Sequence, residues 1–197
     1  MLIADSPNAR APSRPLSDPA PNPSDQDLIA AVNRGDLDAF ELLYRRHRDW
    51  VVRVALRYTH NEDLALDTLQ ELFLYFLKKF PGFQLTCQLQ TFLYPAIRNL
   101  ALGLRKKSER YLPDSETLDQ IPAPIAPETH ATDDLLAIIR ALPEPQREVL
   151  LLRFVDGLPL AEIAIALEIP LGTVKSRLHN ALSTLEKDPQ TKKYFTE

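Results

Sequence analysis

The stretch Leu158-Pro-Leu-Ala-Glu-Ile-Ala-Ile-Ala-Leu-Glu-Ile-Pro-Leu-Gly-Thr-Val-Lys-Ser-Arg-Leu-His-Asn-Ala-Leu182 decides how this chain is read. It describes two short helices joined by a tight turn. Leu160, Ile163, Ala164 and Leu167 recur at the spacing of one apolar helix face. Val174, Leu178, Ala181, Leu182 and Leu185 repeat the pattern in the second helix. Pro170 is expected in the first turn of that helix, where a missing N–H costs nothing. The opposite face carries Thr173, Lys175, Ser176, Arg177, His179 and Asn180. A helix buried on one side, with short polar and cationic groups on the other, suits the major groove of DNA. The same pattern also fits an amphipathic hairpin inside a small helical bundle.

The rest of the chain is consistent with an all-helical protein. It has 197 residues, 45% of them apolar, only 5 Gly, and little strand-like alternation. Its 17 Pro are unevenly placed and mark breaks between folded parts. The single Cys87 excludes an internal disulfide and is expected to be a small buried apolar residue. His47, His60, His130 and His179 form no metal-binding spacing, and no metal or cofactor is expected. No apolar run reaches the ~20 residues of a membrane span, and no signal-peptide pattern opens the chain. A cytoplasmic protein is expected. Net charge is −4, but the charges are segregated. Arg98, Arg105, Lys106, Lys107 and Arg110 cluster against Glu109 alone, whereas 112–134 holds six acidic residues and no Lys or Arg. Local fields rather than the sum govern contact with phosphates.

In chain order, residues 1–24 are Pro-, Ser- and Ala-rich and are expected to be disordered. A first domain over 25–110 should hold four helices. Ser24 or Asp25 caps the first, which ends at Asn33-Arg34-Gly35-Asp36. The second runs from about Leu37 to Thr59, and the third over 63–79 with Leu69, Leu72, Phe73, Phe76, Leu77 and Phe80 as an inward stripe. Phe83 to Gln90 reads as a loop. The fourth helix, Thr91 to Lys107, carries aromatics at one end and cations at the other, a combination that suits single-stranded nucleic acid. Pro95 should kink it or delay its start. Residues 111–132 read as a flexible acidic linker. A second domain over 133–187 opens with a helix bearing Leu135, Leu136, Ile138, Ile139 and Leu142, continues with a helix from Pro145 to Val155, and ends in the helix-turn-helix. The tail 188–197 looks polar, although Tyr194 and Phe195 could dock.

Taken together these residues resemble a known family. Leu142-Pro-Glu-Pro-Gln-Arg-Glu-Val-Leu150, Glu162-Ile-Ala164 and Gly172-Thr-Val-Lys-Ser-Arg-Leu178 are similar to the C-terminal domain of bacterial sigma factors of the extracytoplasmic-function (ECF) type, in the sigma-70 superfamily. Gly35-Asp36 with Ala39-Phe40, Asp67 with Gln70, Glu71 and Phe73, and Leu93 with Asn99 resemble its N-terminal domain. The resemblance covers about residues 26 to 187. It implies a non-enzymatic factor, monomeric when free, that binds core RNA polymerase and promoter DNA, with an anti-sigma protein as a further partner. It implies that Thr173, Lys175, Ser176, Arg177 and Asn180 read the duplex −35 element. It implies that Phe92, Arg98, Asn99, Arg105 and Lys106 hold the melted −10 strand, and that Asp67, Gln70, Glu71 and Phe73 dock on polymerase. Two other readings remain open at this point: a stand-alone helix-turn-helix regulator, and a degenerate sigma-like interaction protein. Glu168 stands where the family usually places Gly in the turn. A left-handed conformation there would cost a side chain roughly 1–2 kcal/mol.

Overall fold

The computed structural model describes residues 22–111 and 138–188, and among the described residues eight helices account for the regular structure. The expectations for the N-terminal tail before Asn22, the acidic linker, Leu135, Leu136, Tyr194 and Phe195 lie outside the described residues.

Helix α1 (Asp25–Asn33) begins with a capping box. Ser24 Oγ accepts the Asp27 N–H at 3.2 Å, and the Asp27 carboxylate accepts the Ser24 N–H at 3.1 Å. The Ser24 hydroxyl, which donates to the same carboxylate at 2.6 Å, and then the Ser24 N–H hold the Asp27 carboxyl below its usual range. Asn22 and Pro23, expected to be disordered, are held by the Arg46 guanidinium. Gly35 closes the turn after α1 at φ +95°, a conformation that glycine adopts without steric cost. Helices α2 (Leu37–Thr59) and α3 (Glu62–Leu77) start on Asp36 and Asn61, whose side chains each accept a first-turn N–H. Helix α4 spans Leu89–Tyr111. It starts two residues before the expected Thr91, so Pro95 does not delay it. Pro95 leaves only the Thr91 carbonyl without its i+4 donor, and the buried apolar residues on either side keep the helix in place. Leu89 and Gln90 therefore belong to the helix rather than to the loop before it.

The second half contains α5 (residues 138–141), α6 (Glu144–Phe154), α7 (Leu160–Ala166) and α8 (Leu171–Lys187). Pro143, Pro159 and Pro170 stand at the N-caps of α6, α7 and α8 without a side-chain cap bond. Their fixed φ sets the extended entry that each helix needs. Pro170 is thus one residue ahead of the first turn in which it was expected.

Helix α1 packs on α2, and α2, α3 and α4 pack on one another. Leu43, Val51, Val54, Leu72, Phe76, Leu93 and Ile97 are fully buried between them. Leu77, expected to face inward, is 38% exposed because the helix ends there and Phe80 turns back over Phe76 in its place. The same apolar cluster continues without a break into Val149, Leu152, Leu158, Ile163, Ala166 and Val174 of the second half. A smaller cluster of Ile138, Leu142, Leu150, Ala181 and Leu185 holds α5, α6 and α8 together. Residues of both halves thus contribute to one apolar cluster. Cys87 is half-buried rather than a core residue; burial, then the neighbouring Glu162 carboxyl, push its thiol above the usual range.

In the turn between α7 and α8, Glu168 sits at φ +54°, the left-handed region. Glycine removes a strain of about 1–2 kcal/mol, against about 0.5–1 kcal/mol of extra unfolded-chain entropy. Glu168→Gly should raise the melting temperature by about 2 °C in a thermal scan.

Candidate nucleic-acid interface

Helix α8 divides its residues cleanly. Val174, Ala181 and Leu185 are buried, while Lys175, Ser176, His179 and Asn180 are exposed. Thr173 and Arg177 are half-buried at the margin, Arg177 facing the first half across a cleft. Ser176 Oγ donates to the Thr173 carbonyl at 3.0 Å, so its oxygen still has lone pairs for an external donor. The exposed stripe is short, polar and cationic, and α7 supports it from behind.

The sequence-derived −10 residues do not all share one surface. Phe92 lies in an aromatic cluster, 4.8 Å from Phe83 and 6.1 Å from Phe76 between ring centroids. Its ring packs the loop against α3, a structural contact that leaves its surface only partly available. Asn99 and Lys106 are exposed. Arg105 is fixed by Glu109 at 2.8 Å and reaches the Tyr58 carbonyl. Arg98 faces the second half and pairs with Glu148 at 3.5 Å. The loop before α4 is clamped by Asn33 on α1. Its side-chain oxygen accepts the Gly82 and Phe83 N–H groups at 2.7 and 3.1 Å, and its amide donates to the Phe83 carbonyl at 2.8 Å. This clamp was not foreseen, because the two partners are 50 positions apart.

On α3, Asp67, Gln70 and Glu71 are exposed at i, i+3 and i+4 and form one surface with Leu66 and Leu74. Phe73 does not join them. It is 5% exposed and packs edge-on against Tyr44 and Phe40, which corrects its expected docking role. Its place on the inward stripe was legible from spacing; the docking role came from the family resemblance alone.

The seam between the halves carries the strongest polar contacts. The Asp156 side chain, 0% exposed, accepts both Arg57 NH1 at 2.6 Å and NH2 at 2.9 Å, and Trp50 Nε1 at 3.1 Å. One Glu148 oxygen receives the Tyr58 hydroxyl at 2.7 Å and the Tyr94 hydroxyl at 2.8 Å. The two hydroxyls are themselves 2.5 Å apart. Burial, then the Glu148 carboxyl, push the Tyr58 phenol well above its usual range; burial, then Tyr58 and Glu148, do the same for Tyr94. Both phenols therefore keep their protons and act as donors. Glu162 of α7 accepts the Gln88 N–H at 3.2 Å, placing a carboxylate at the N-terminus of α4, where the helix dipole favours it. Of these seam residues only Tyr94, one of the aromatics at the start of α4, stood out in the sequence as a binding group.

Because Phe73 is a core residue, Phe73→Ala should lower stability by about 3–5 kcal/mol in urea unfolding. Gln70→Ala and Glu71→Ala should change it by less than about 0.5 kcal/mol.

Two family descriptions match the chain: "Sigma-70 region 2" over residues 43–111 and "Sigma-70, region 4" over residues 132–185. The ECF RNA polymerase sigma factor SigW of Bacillus subtilis is 31% identical over 174 residues, covering 81% of this chain and 93% of SigW. The RNA polymerase sigma-H factor of Pseudomonas aeruginosa is 30% identical, covering 83% and 92%. The ECF sigma-E factor of Escherichia coli K12 is 29% identical, covering 85% and 95%. Two solved structures share the fold. CnrH, in complex with the cytosolic domain of CnrY, has a TM-score of 0.60 at 19% identity, covering 81% of this chain and 93% of that one. The sigma factor RpoE of Bartonella quintana, in complex with the anti-sigma factor NepR, has a TM-score of 0.59 at 22% identity, covering 75% and 94%. The regulator and degenerate-protein readings are therefore set aside. With both regions matched in order and relatives aligned over nearly their whole length, this chain belongs to the ECF family of RNA polymerase sigma factors, promoter-recognising initiation factors that are not enzymes.

Proposed function

We propose that this sigma factor grips a promoter at two points and docks on core polymerase through a third. Helix α8 enters the major groove of the −35 element with Lys175, Ser176 and Asn180 toward the bases and phosphates, and Thr173 and Arg177 at the groove edge. The observation that carries this is the division of α8 into a buried apolar side and an exposed polar stripe. The melted −10 strand lies along α4, held by Asn99, Lys106, Arg98 and Arg105, beside the loop that Asn33 clamps. Unstacking a base costs a few kcal/mol, so a rigid loop helps make that cost sequence-selective. Phe92 acts here by holding the loop through its ring contacts.

Polymerase docks on the exposed α3 surface of Asp67, Gln70 and Glu71, with Leu66 and Leu74 supplying apolar area. An anti-sigma protein is a further partner in this reading, as NepR is for the Bartonella RpoE. The factor works in the cytoplasm, where template and polymerase are. In keeping with that, no described helix is long and apolar enough to cross a membrane.

Run-off transcription with purified core polymerase on a genomic promoter pool tests the reading and returns the promoter motif. Lys175→Ala and Asn180→Ala should each lower promoter-specific transcription about 5- to 100-fold, as expected for losing about 1–3 kcal/mol of base contact. Polymerase binding, measured by size-exclusion of the holoenzyme, should stay unchanged. The pair Gln70→Ala and Glu71→Ala should show the opposite split, with weakened holoenzyme assembly. Equal loss of both readouts for either set would assign those residues to the fold instead.

A further inference from the structure

The loop between α3 and α4 is pinned to α1 by Asn33, the last residue of that helix. Asn33 Oδ1 accepts two successive N–H groups, Gly82 at 2.7 Å and Phe83 at 3.1 Å. Its Nδ2 donates to the Phe83 carbonyl at 2.8 Å. Gly82 sits at φ +101°, a turn that brings neighbouring N–H groups onto one oxygen and that side chains rarely adopt. Phe83 gives both its N–H and its C=O to the same amide, the exchange that paired residues make in an antiparallel ladder. The amide therefore fixes the rotation of the chain at Phe83 as well as its position.

Beyond that point the side chains alternate. Phe83, Leu85 and Cys87 are half-buried, and Phe83 and Leu85 pack on the core. Gln84, Thr86 and Gln88 are exposed. Extended chain sends successive side chains to opposite sides, so a slip by one residue would exchange the two rows. The outward row carries two amides and a hydroxyl, groups that can both donate to and accept from base edges. The seat of α1 does not depend on the Asn33 bonds, because Leu28, Ile29 and Val32 bury that helix against α2.

We propose that Asn33 is a positioning residue for −10 selection: it touches no DNA, and it sets the register in which the loop presents Gln84, Thr86 and Gln88 to the unstacked base. The inference rests on the assignment of this loop to the melted −10 element. A hydrogen-bonding site rejects a wrong base because its own groups are left unpaired. A loop free to slip would pair those groups again and lose the penalty. The clamp thus acts on the difference between −10 sequences and not on promoter binding in general.

The test uses holoenzyme made from the full chain and core polymerase, in run-off transcription on the selected promoter and on its single-base −10 and −35 variants. Asn33→Leu, close in size and unable to make these bonds, should cut the ratio between the best and worst −10 sequences about ten-fold. The −35 ratio and holoenzyme assembly should stay unchanged. Asn33→Asp still accepts both N–H groups and should keep most of the −10 ratio. An unchanged −10 ratio, or an equal fall in the −10 and −35 ratios, would overturn the proposal. In that event Gln84→Ala combined with Thr86→Ala shows where it failed. An altered −10 ratio in that variant keeps the loop as the reader and removes only the role of Asn33, while an unaltered ratio removes the loop assignment as well. If Asn33→Leu melts below the assay temperature, Asn33→Gln, whose amide is displaced by one methylene, takes its place with the same outcomes.

Discussion

Helix α4 has two faces to bury, and the arrangement of the molecule follows from that. One side carries Leu93 and Ile97 into the core shared with α2 and α3. The other meets α7, whose Ile163 and Ala166 extend the same apolar cluster. A helix with a single apolar stripe would have left its outer side to water. With the second side covered, the helix-turn-helix is seated on the first half, and α8 projects its polar stripe away from the joint core. The N-terminal start of α4 is likewise completed from the other half, by Glu162.

The seam is not held by apolar contact alone. Asp156 is fully buried, and a buried charge is tolerated only when its partners satisfy it. Arg57 and Trp50 do so with three hydrogen bonds. Such a pair adds little net stability over an apolar replacement, but it fixes one geometry, because any other docking angle would strand the carboxylate. Glu148 works the same way against Tyr58 and Tyr94. These polar contacts add a fixed geometry to a seam that also carries the shared apolar cluster.

Much of the fold was legible in the chain. The breaks at Gly35-Asp36, Asn61 and Pro81-Gly82 mark the helix ends because each is a local conformational demand. Leu28, Ile29 and Val32, or Val174, Ala181 and Leu185, announce their inward faces by spacing alone. The turn at Glu168 was readable through the family resemblance, which places Gly at that position, and Glu168 is left-handed there. The exposed stripe of α8 could be read for the same reason, since periodicity assigns both faces of an amphipathic helix at once. Helix α3 shows where periodicity stops helping. Apolar residues continue past its inward stripe, so Leu77, read as inward, is exposed at the helix end, whereas Phe73 of the same stripe is buried.

What the sequence determined by itself was local: helix existence, caps, turns, the charge segregation, and a pair of family motifs specific enough to name the class. Those features depend on residues within a few positions of one another, and chain spacing encodes them. The tertiary structure alone decided which groups meet across about 50 to 106 positions: Asn33 with the α3–α4 loop, Tyr94 with Glu148, Trp50 with Asp156. Each of these is an ordinary polar residue in its own neighbourhood. Their roles arise only when two helices bury a common face and bring donors and carboxylates into a space that water has left.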